Sequence, residues 1–195
     1  MNIIDGRKIA KQIREDIAKE VETFERPPGL AVILVGEDPA SAVYVRNKEL
    51  ACIEAGFFSD KIIKSENTTQ EELLDEIERL NNNPRIDGIL VQLPLPSHID
   101  SSKVIEHISP NKDIDGFHSE NIGKLTQNKS NLRPCTPKGV MTMLASIGCE
   151  VRGKDCVVVG ASNIVGKPMA LELLNAGGTV TICNSKTKDT AEKTR

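Results

Sequence analysis

The chain has 195 residues, 25 basic and 28 acidic, a formal net charge of −3 and 38% apolar residues, enough for a real core in one large domain or two small ones. The two signs of charge are mixed along the sequence, which excludes a basic field for nucleic acid or a polybasic membrane patch; with no bilayer-length apolar run and no signal-peptide layout, a cytoplasmic protein is expected. Five widely spaced cysteines (Cys52, Cys135, Cys149, Cys156, Cys183) never form Cys-x-x-Cys, and three histidines add no metal-ligand spacing, so neither a disulfide framework nor a metal site is expected.

Asp5 caps a first predicted helix whose apolar positions Ile9, Ile13, Ile17, Val21 and Phe24 recur every three or four residues, a stripe that needs a sheet to lie on; Pro27, Pro28 and Gly29 stop it. Residues 30–35 are a continuous apolar run, as in a strand covered on both faces, and residues 36–39 turn into a helix over 41–56. At 100° per residue that helix carries Ser41, Tyr44, Lys48, Ala51, Cys52 and Ala55 on one side. Lys48 is the only charge there. Desolvation on an apolar face disfavours a charged amine, which makes Lys48 a candidate general acid or base; the competing reading is a stem that covers apolar surface while its head reaches water.

Residues 61–63 form a second predicted strand. A third helix starts at Thr69, where Thr69 and Glu72 make a capping box, with Leu73, Ile77 and Leu80 as its buried stripe. Residues 86–93 form a third strand, which runs into Gln92-Leu93-Pro94-Leu95-Pro96. Strands alternating with helices call for a parallel sheet whose ligands sit at the carboxyl ends of the strands, so Tyr44, Lys48 and Gln92 are expected to converge on one ligand. A buried glutamine amide left unpaired costs about 1–3 kcal/mol, so Gln92 needs a partner in protein or substrate. Pro94 and Pro96 stiffen a pocket wall. After a short helix over 101–108, Asp113 and Asp115 stand two apart in a loop, read as a turn ahead of a cap or part of a metal site. The polar, Pro-rich stretch 128–137 reads as a domain crossing, which divides the chain into domains 1–136 and 137–195.

The second domain opens with a helix over 137–147. A buried strand follows at 156–159, then the connection Gly160-Ala161-Ser162-Asn163-Ile164-Val165-Gly166-Lys167-Pro168, a helix over 169–175 and a strand over 179–183. This is the start of a dinucleotide-binding unit with Ser162 and Val165 in the second and third glycine places. Gly160 allows the sharp turn, the helix N-terminus offers free N–H groups to a phosphate, and the Ser162 hydroxyl adds a donor. A P-loop is set aside, because the glycine spacing is one residue too long and Pro168 replaces the magnesium-binding hydroxyl. Past the second strand, Asn184-Ser185-Lys186-Thr187-Lys188 holds only neutral and basic groups, which favours NADP, with its 2′-phosphate, over NAD.

Five stretches together resemble the bifunctional methylenetetrahydrofolate dehydrogenase/cyclohydrolase family: Ser41-x-x-Tyr44-Val45-x-x-Lys48 with Ala55-Gly56, residues 88–96 ending Gln92-Leu93-Pro94-Leu95-Pro96, Asp113-Ile114-Asp115-Gly116-Phe117, Pro134-Cys135-Thr136-Pro137-x-Gly139, and Gly160-Ala161-Ser162-x-x-Val165-Gly166-x-Pro168. The resemblance implies an α/β fold of two units, an N-terminal parallel-sheet catalytic domain and a Rossmann-like NADP-binding domain. It implies NADP-dependent oxidation of 5,10-methylenetetrahydrofolate and hydrolysis of the methenyl product to 10-formyltetrahydrofolate, in one-carbon metabolism. By that resemblance Lys48 is the acid/base of the hydrolysis and Gln92 tunes it. Tyr44 stacks on the folate ring, Asp115 hydrogen-bonds the pterin, and Ser41 and Pro94 complete the substrate site. Gly160, Ala161, Ser162, Ser185 and Lys186 line the NADP site, the uncharged Ala161 leaving the 2′-phosphate to Ser185 and Lys186. A homodimer through the cofactor domain is implied as well. Members of the family run on past the position of Arg195, which keeps open a truncated folate-binding or dimerising module with impaired dehydrogenase activity. A dehydrogenase of another substrate accounts for the glycine turn but not for Tyr44, Lys48, Gln92 and Asp115 together.

Overall fold

The strand β1 (Gly29–Val35) has no exposed residue. In the computed structural model, which describes residues 3–195, it is the centre of a three-stranded sheet of order β2-β1-β3, with β2 (Phe58–Lys64) and β3 (Gly88–Val91) parallel to it. Alternation along β1 divides the core in two. Ala31, Ile33 and Val35 pack with Leu73, Ile77 and Leu80 of α3 (Gln70–Asn81) and Val104 of α4 (Ser101–His107). Val32 and Leu34 pack on the opposite face with Leu90 and with Val45 of α2 (Pro39–Glu54). Coverage on both faces is what the unbroken apolar run requires. The capping box of α3 forms as expected, Thr69 Oγ1 accepting from the Glu72 N–H while Glu72 Oε2 accepts from the Thr69 N–H.

Three expectations change. The second strand is longer than residues 61–63, because pairing with β1 carries it across the whole of Phe58–Lys64. The third is shorter than 86–93, its ladder with β1 spanning only Gly88–Val91. The first helix, α1 (Gly6–Val21), does not lie on the sheet; it lies along α2, where Arg14 pairs with Glu54. Of its apolar stripe only Val21 is buried, while Ile13 and Phe24 are 43% and 47% exposed. Both faces of the sheet are already covered by other helices, so α1 finds no face left.

These elements belong to one compact unit, Asp5–Ile114; Asp115–Arg195 belongs to a second. The second unit holds α5 (Ser119–Thr126), α6 (Cys135–Ser146), β4 (Asp155–Val159), α7 (Gly166–Asn175), β5 (Thr179–Cys183) and α8 (Thr190–Lys193). Parallel β4 and β5 pair in register from Asp155↔Thr179 to Val159↔Cys183. Val158 and Val180 pack one face onto Met169 and Leu173 of α7 and Met141 and Leu144 of α6, whereas Val157 and Val159 are exposed on the other. The sequence pattern did not single out α5, and α6 begins at Cys135, two residues before the expected start.

A lysine of the first unit closes the end of α3. Lys112 Nζ donates to the carbonyls of Leu80, Asn81 and Asn83 at 3.0, 2.7 and 2.9 Å, which satisfies acceptors that a helix end leaves open. The Lys112 carbonyl in turn accepts from the Ile89 N–H at 2.7 Å. Replacing Lys112 by Met is expected to cost about 1–3 kcal/mol in urea unfolding, because the Asn81 carbonyl loses its side-chain donor while those of Leu80 and Asn83 keep only a backbone N–H. At the amino ends of the strands, hydrogen bonding from Arg26 holds the Asp87 carboxyl below the usual carboxylate range, opposed by burial and aided by the Gly29 N–H. A depressed carboxylate contributes stability above its unfolded value near 4 and loses it as pH falls through the folded value. Asp87→Asn is therefore expected to lower stability by about 1 kcal/mol at neutral pH and to flatten the acid limb below about pH 4 in denaturation titrations.

Candidate active site

The backbone of Gln92 is placed by the sheet. One residue past β3, its N–H donates to the Ile33 carbonyl at 2.8 Å, so the parallel ladder continues to the rim and brings Gln92 with it. The side chain is held at both ends: Nε2 donates to the Leu93 carbonyl at 2.6 Å and Oε1 accepts from Lys48 Nζ at 3.1 Å. Amide orientation follows from chemistry, since the NH₂ group faces a carbonyl and the oxygen faces an amine. The expected pairing of Lys48 with the strand tip is therefore present.

Lys48 comes from α2, which starts directly after β1. Asp38 caps that helix, accepting from the Ser41 N–H at 2.7 Å. The side-chain and backbone hydrogen bonds of Ser41 hold the Asp38 carboxyl below the ordinary range. The Asp-Pro-x-Ser order that builds this cap is visible in the sequence as a helix start. Ser41 itself is buried and bonded to Asp38, which gives it a capping part in the helix. The helix buries Ser41, Val45 and Cys52, so its inward face is turned towards Val45 from the expected one. Lys48 is half-buried at the edge of that face, and Tyr44, one turn back, is 62% exposed with its ring open to a planar ligand. Pro94 is exposed in the loop beyond Gln92.

Asp115 opens the second unit and is half-buried; the buried Asp113, in the first unit, bridges to Ile89 in parallel fashion. Among the described residues no group of three or more His, Cys, Asp or Glu side chains is placed to hold a metal ion, and no helix is long and apolar enough to cross a membrane.

In the second unit, the Gly160 N–H donates to the Cys183 carbonyl at 2.8 Å, which brings the Gly160 loop and the turn after β5 to the same end of the parallel pair. That turn is tied by the Asn184 N–H on Thr187 Oγ1 and the Lys186 N–H on Asn184 Oδ1, both at 2.8 Å, and it leaves Ser185 and Lys186 exposed at its tip beside half-buried Ala161. Gly160 has φ +128°, and a Cβ on Gly166 would stand 2.2 Å from the Gly160 carbonyl oxygen, so α7 begins in direct backbone contact with the loop. The start of α7 departs from expectation. Ser162 Oγ accepts from the Val165 and Gly166 N–H groups at 3.2 Å, and the Ser162 carbonyl accepts from Lys167 at 3.0 Å. N–H groups expected to be free are thus satisfied within the turn. The Ser162 hydroxyl, accepting through its lone pairs, keeps its own hydrogen for a ligand oxygen.

A parallel-sheet unit with an amine and a carboxamide paired at its carboxyl rim, joined to a dinucleotide-type β-α-β unit, defines a two-unit α/β enzyme class. The sequence model for the tetrahydrofolate dehydrogenase/cyclohydrolase catalytic domain matches residues 4–115, and the model for the NAD(P)-binding domain of the same enzymes matches residues 134–195. The chain belongs to the tetrahydrofolate dehydrogenase/cyclohydrolase family. It is 68% identical to the bifunctional protein FolD of Ruthia magnifica subsp. Calyptogena magnifica, over 99% of this chain and 70% of the relative. It is 56% identical to bifunctional protein FolD 1 of Hydrogenovibrio crunogenus, over 98% of this chain and 69% of that one. Among solved structures, the FolD methylenetetrahydrofolate dehydrogenase/cyclohydrolase of Campylobacter jejuni superposes with a TM-score of 0.97 at 46% identity, covering 99% of this chain and 70% of that one. The Trypanosoma brucei enzyme, complexed with NADP cofactor and inhibitor, gives 0.93 at 38%, covering 98% of this chain and 68% of that one.

Because the Gly166 position has no room for a side chain, Gly166→Ala is expected to push α7 off the Gly160 loop and cost about 1–3 kcal/mol, measured as a lower urea midpoint.

Proposed function

We propose that this protein oxidises 5,10-methylenetetrahydrofolate to the methenyl form with NADP⁺ and hydrolyses the product to 10-formyltetrahydrofolate. The observation that carries this reading is the 3.1 Å bond between Lys48 Nζ and Gln92 Oε1 at the carboxyl rim of the sheet, within a chain that matches both domains of the family. The assignment of residues 1–136 to folate chemistry and 137–195 to the cofactor follows the same division of labour. A folate-binding module without dehydrogenase activity is not favoured, since the match to the NAD(P)-binding domain extends over residues 134–195.

In the hydrolysis, water adds to the methenyl carbon and the bond from that carbon to N5 breaks. Of the two water protons one ends on N5 and one leaves, so the cation becomes the neutral formyl product. Lys48 moves these protons from its half-buried place, and Gln92 holds its nitrogen in position through a neutral oxygen, which orients the amine without fixing it as an ion pair. In the first unit the exposed Tyr44 ring offers a face for the pterin and Pro94 a rigid wall; in the second, Asp115 is a carboxylate suited to pterin N–H groups. The half-buried Lys48 and the exposed Tyr44 support this division of roles.

The glycine contact at Gly160 and Gly166 leaves the loop uncovered by side chains where a pyrophosphate needs to approach, and Ser162 keeps a donor there, so the residues fit a dinucleotide. When bound, NADP supplies the redox chemistry of the first reaction. Ser185 and Lys186 meet the 2′-phosphate as a hydroxyl donor and a cation, a reading that their exposure at the tip of the turn supports. A cytoplasmic location is supported by five cysteines that form no disulfide with one another. A homodimer through the cofactor unit is supported by the apolar surface that Val157 and Val159 leave exposed on one face of the β4–β5 pair.

Lys48→Met is expected to lower cyclohydrolase turnover by about 10²–10⁴-fold while folate still binds, read as the decay of methenyl absorbance beside a folate titration. Hydrolysis at a rate comparable to wild type removes Lys48 from the role.

A further inference from the structure

Glu172 lies in the middle of α7 with 5% of its side chain exposed. Its Oε2 accepts from Arg133 Nη1 at 3.0 Å, and its Oε1 is buried without a hydrogen-bond partner among the described residues. A buried carboxylate compensated by one guanidinium is no more stable than an apolar pair of the same volume, but it fixes distance and direction between the segments that carry it. What those segments are is the informative part.

Arg133 leads into Pro134, and this stretch supports the turn that follows Asp115. Gly116 has φ +67°, and a Cβ there would lie 2.8 Å from both the Arg133 carbonyl carbon and the Pro134 nitrogen. At the other end of the pair, α7 rests through Gly166 on the Gly160 carbonyl. Within the second unit, a continuous series of contacts therefore runs from the Asp115–Gly116 turn through Arg133 and Glu172 to α7 and the Gly160 loop. We infer that the Arg133–Glu172 pair positions the dehydrogenase site, setting the pterin-binding turn at Asp115 against the NADP-binding loop at Gly160. The inference rests on the roles proposed above for Asp115 and the Gly160 loop. Neither Arg133 nor Glu172 touches reacting atoms in it, so both are positioning residues. A second tether, Asn175 Nδ2 donating to the Leu125 carbonyl at 2.8 Å, joins α7 to the end of α5 independently of the pair.

The test, in the whole protein, is the double variant Arg133→Leu with Glu172→Leu, which removes both charges together and leaves none buried alone. It is expected to melt near the wild-type temperature and to bind NADP⁺ within about twofold of wild type, yet to lose about tenfold in dehydrogenase kcat. Cyclohydrolase turnover, started from methenyltetrahydrofolate without NADP, is expected to stay within about twofold, because that step does not need the two segments aligned. A folded double variant whose dehydrogenase kcat remains within about twofold of wild type overturns the assignment. If the double variant does not fold, Arg133→Lys decides, as it keeps the charge and loses the planar fork. A lower dehydrogenase kcat at unchanged melting temperature then supports the assignment, and an unchanged kcat, or a loss equal to the unfolded fraction, overturns it. A wild-type protein that fails to oxidise methylenetetrahydrofolate instead overturns the function proposed above and this inference with it.

Discussion

The bond from the Gln92 N–H to the Ile33 carbonyl is the constraint on which the first unit's chemistry depends. A parallel ladder extends only as far as two strands stay in register, and here it extends one residue beyond β3, to the residue that carries the carboxamide. Once that backbone is pinned, the side chain has two anchors, the Leu93 carbonyl and Lys48 Nζ. The amine reaches it because Asp38 starts α2 at the same rim, directly after β1. A sheet buried on both faces thus turns the ends of two strands into one rigid corner, and the Lys48 amine is held from a helix and a strand.

The second unit reaches a similar end by a different route. Its two strands are short, and one sheet face is open at Val157 and Val159, so rigidity near the loop comes from backbone-to-backbone approach at Gly160 and Gly166 and from Ser162 closing the first turn of α7. Internal satisfaction of those N–H groups leaves a hydroxyl hydrogen and a side-chain-free approach at this helix start in place of a row of open donors.

Much of this was legible beforehand because it rests on local rules. The capping box at Thr69, the fully covered run in β1 and the stripe Leu73, Ile77 and Leu80 depend on neighbours within a turn or on period alone, and each formed as expected. Lys48 and Gln92 were brought together on the rule that ligands gather at the carboxyl ends of parallel strands, and the two side chains do meet there. The misses share a cause. The α1 stripe looks like any core-facing helix, and only the prior occupation of both sheet faces leaves Ile13 and Phe24 exposed. Lys112 and Glu172 are single charged residues in unremarkable surroundings, and no spacing announces that one closes a helix 31 residues earlier or that the other is buried against Arg133.

From the sequence alone come the alternation of strands and helices, the parallel sheet this demands and the dinucleotide-type turn, since periodicity, caps and glycine placement act over a few residues. The tertiary structure decided which way each functional side chain faces and what it touches. It turned α2 towards Val45, engaged Ser41 with its own cap and filled the first N–H positions of α7 with Ser162. Those outcomes depend on competition among elements distant in sequence for a limited number of faces and donors, and that competition is settled only when the chain is packed.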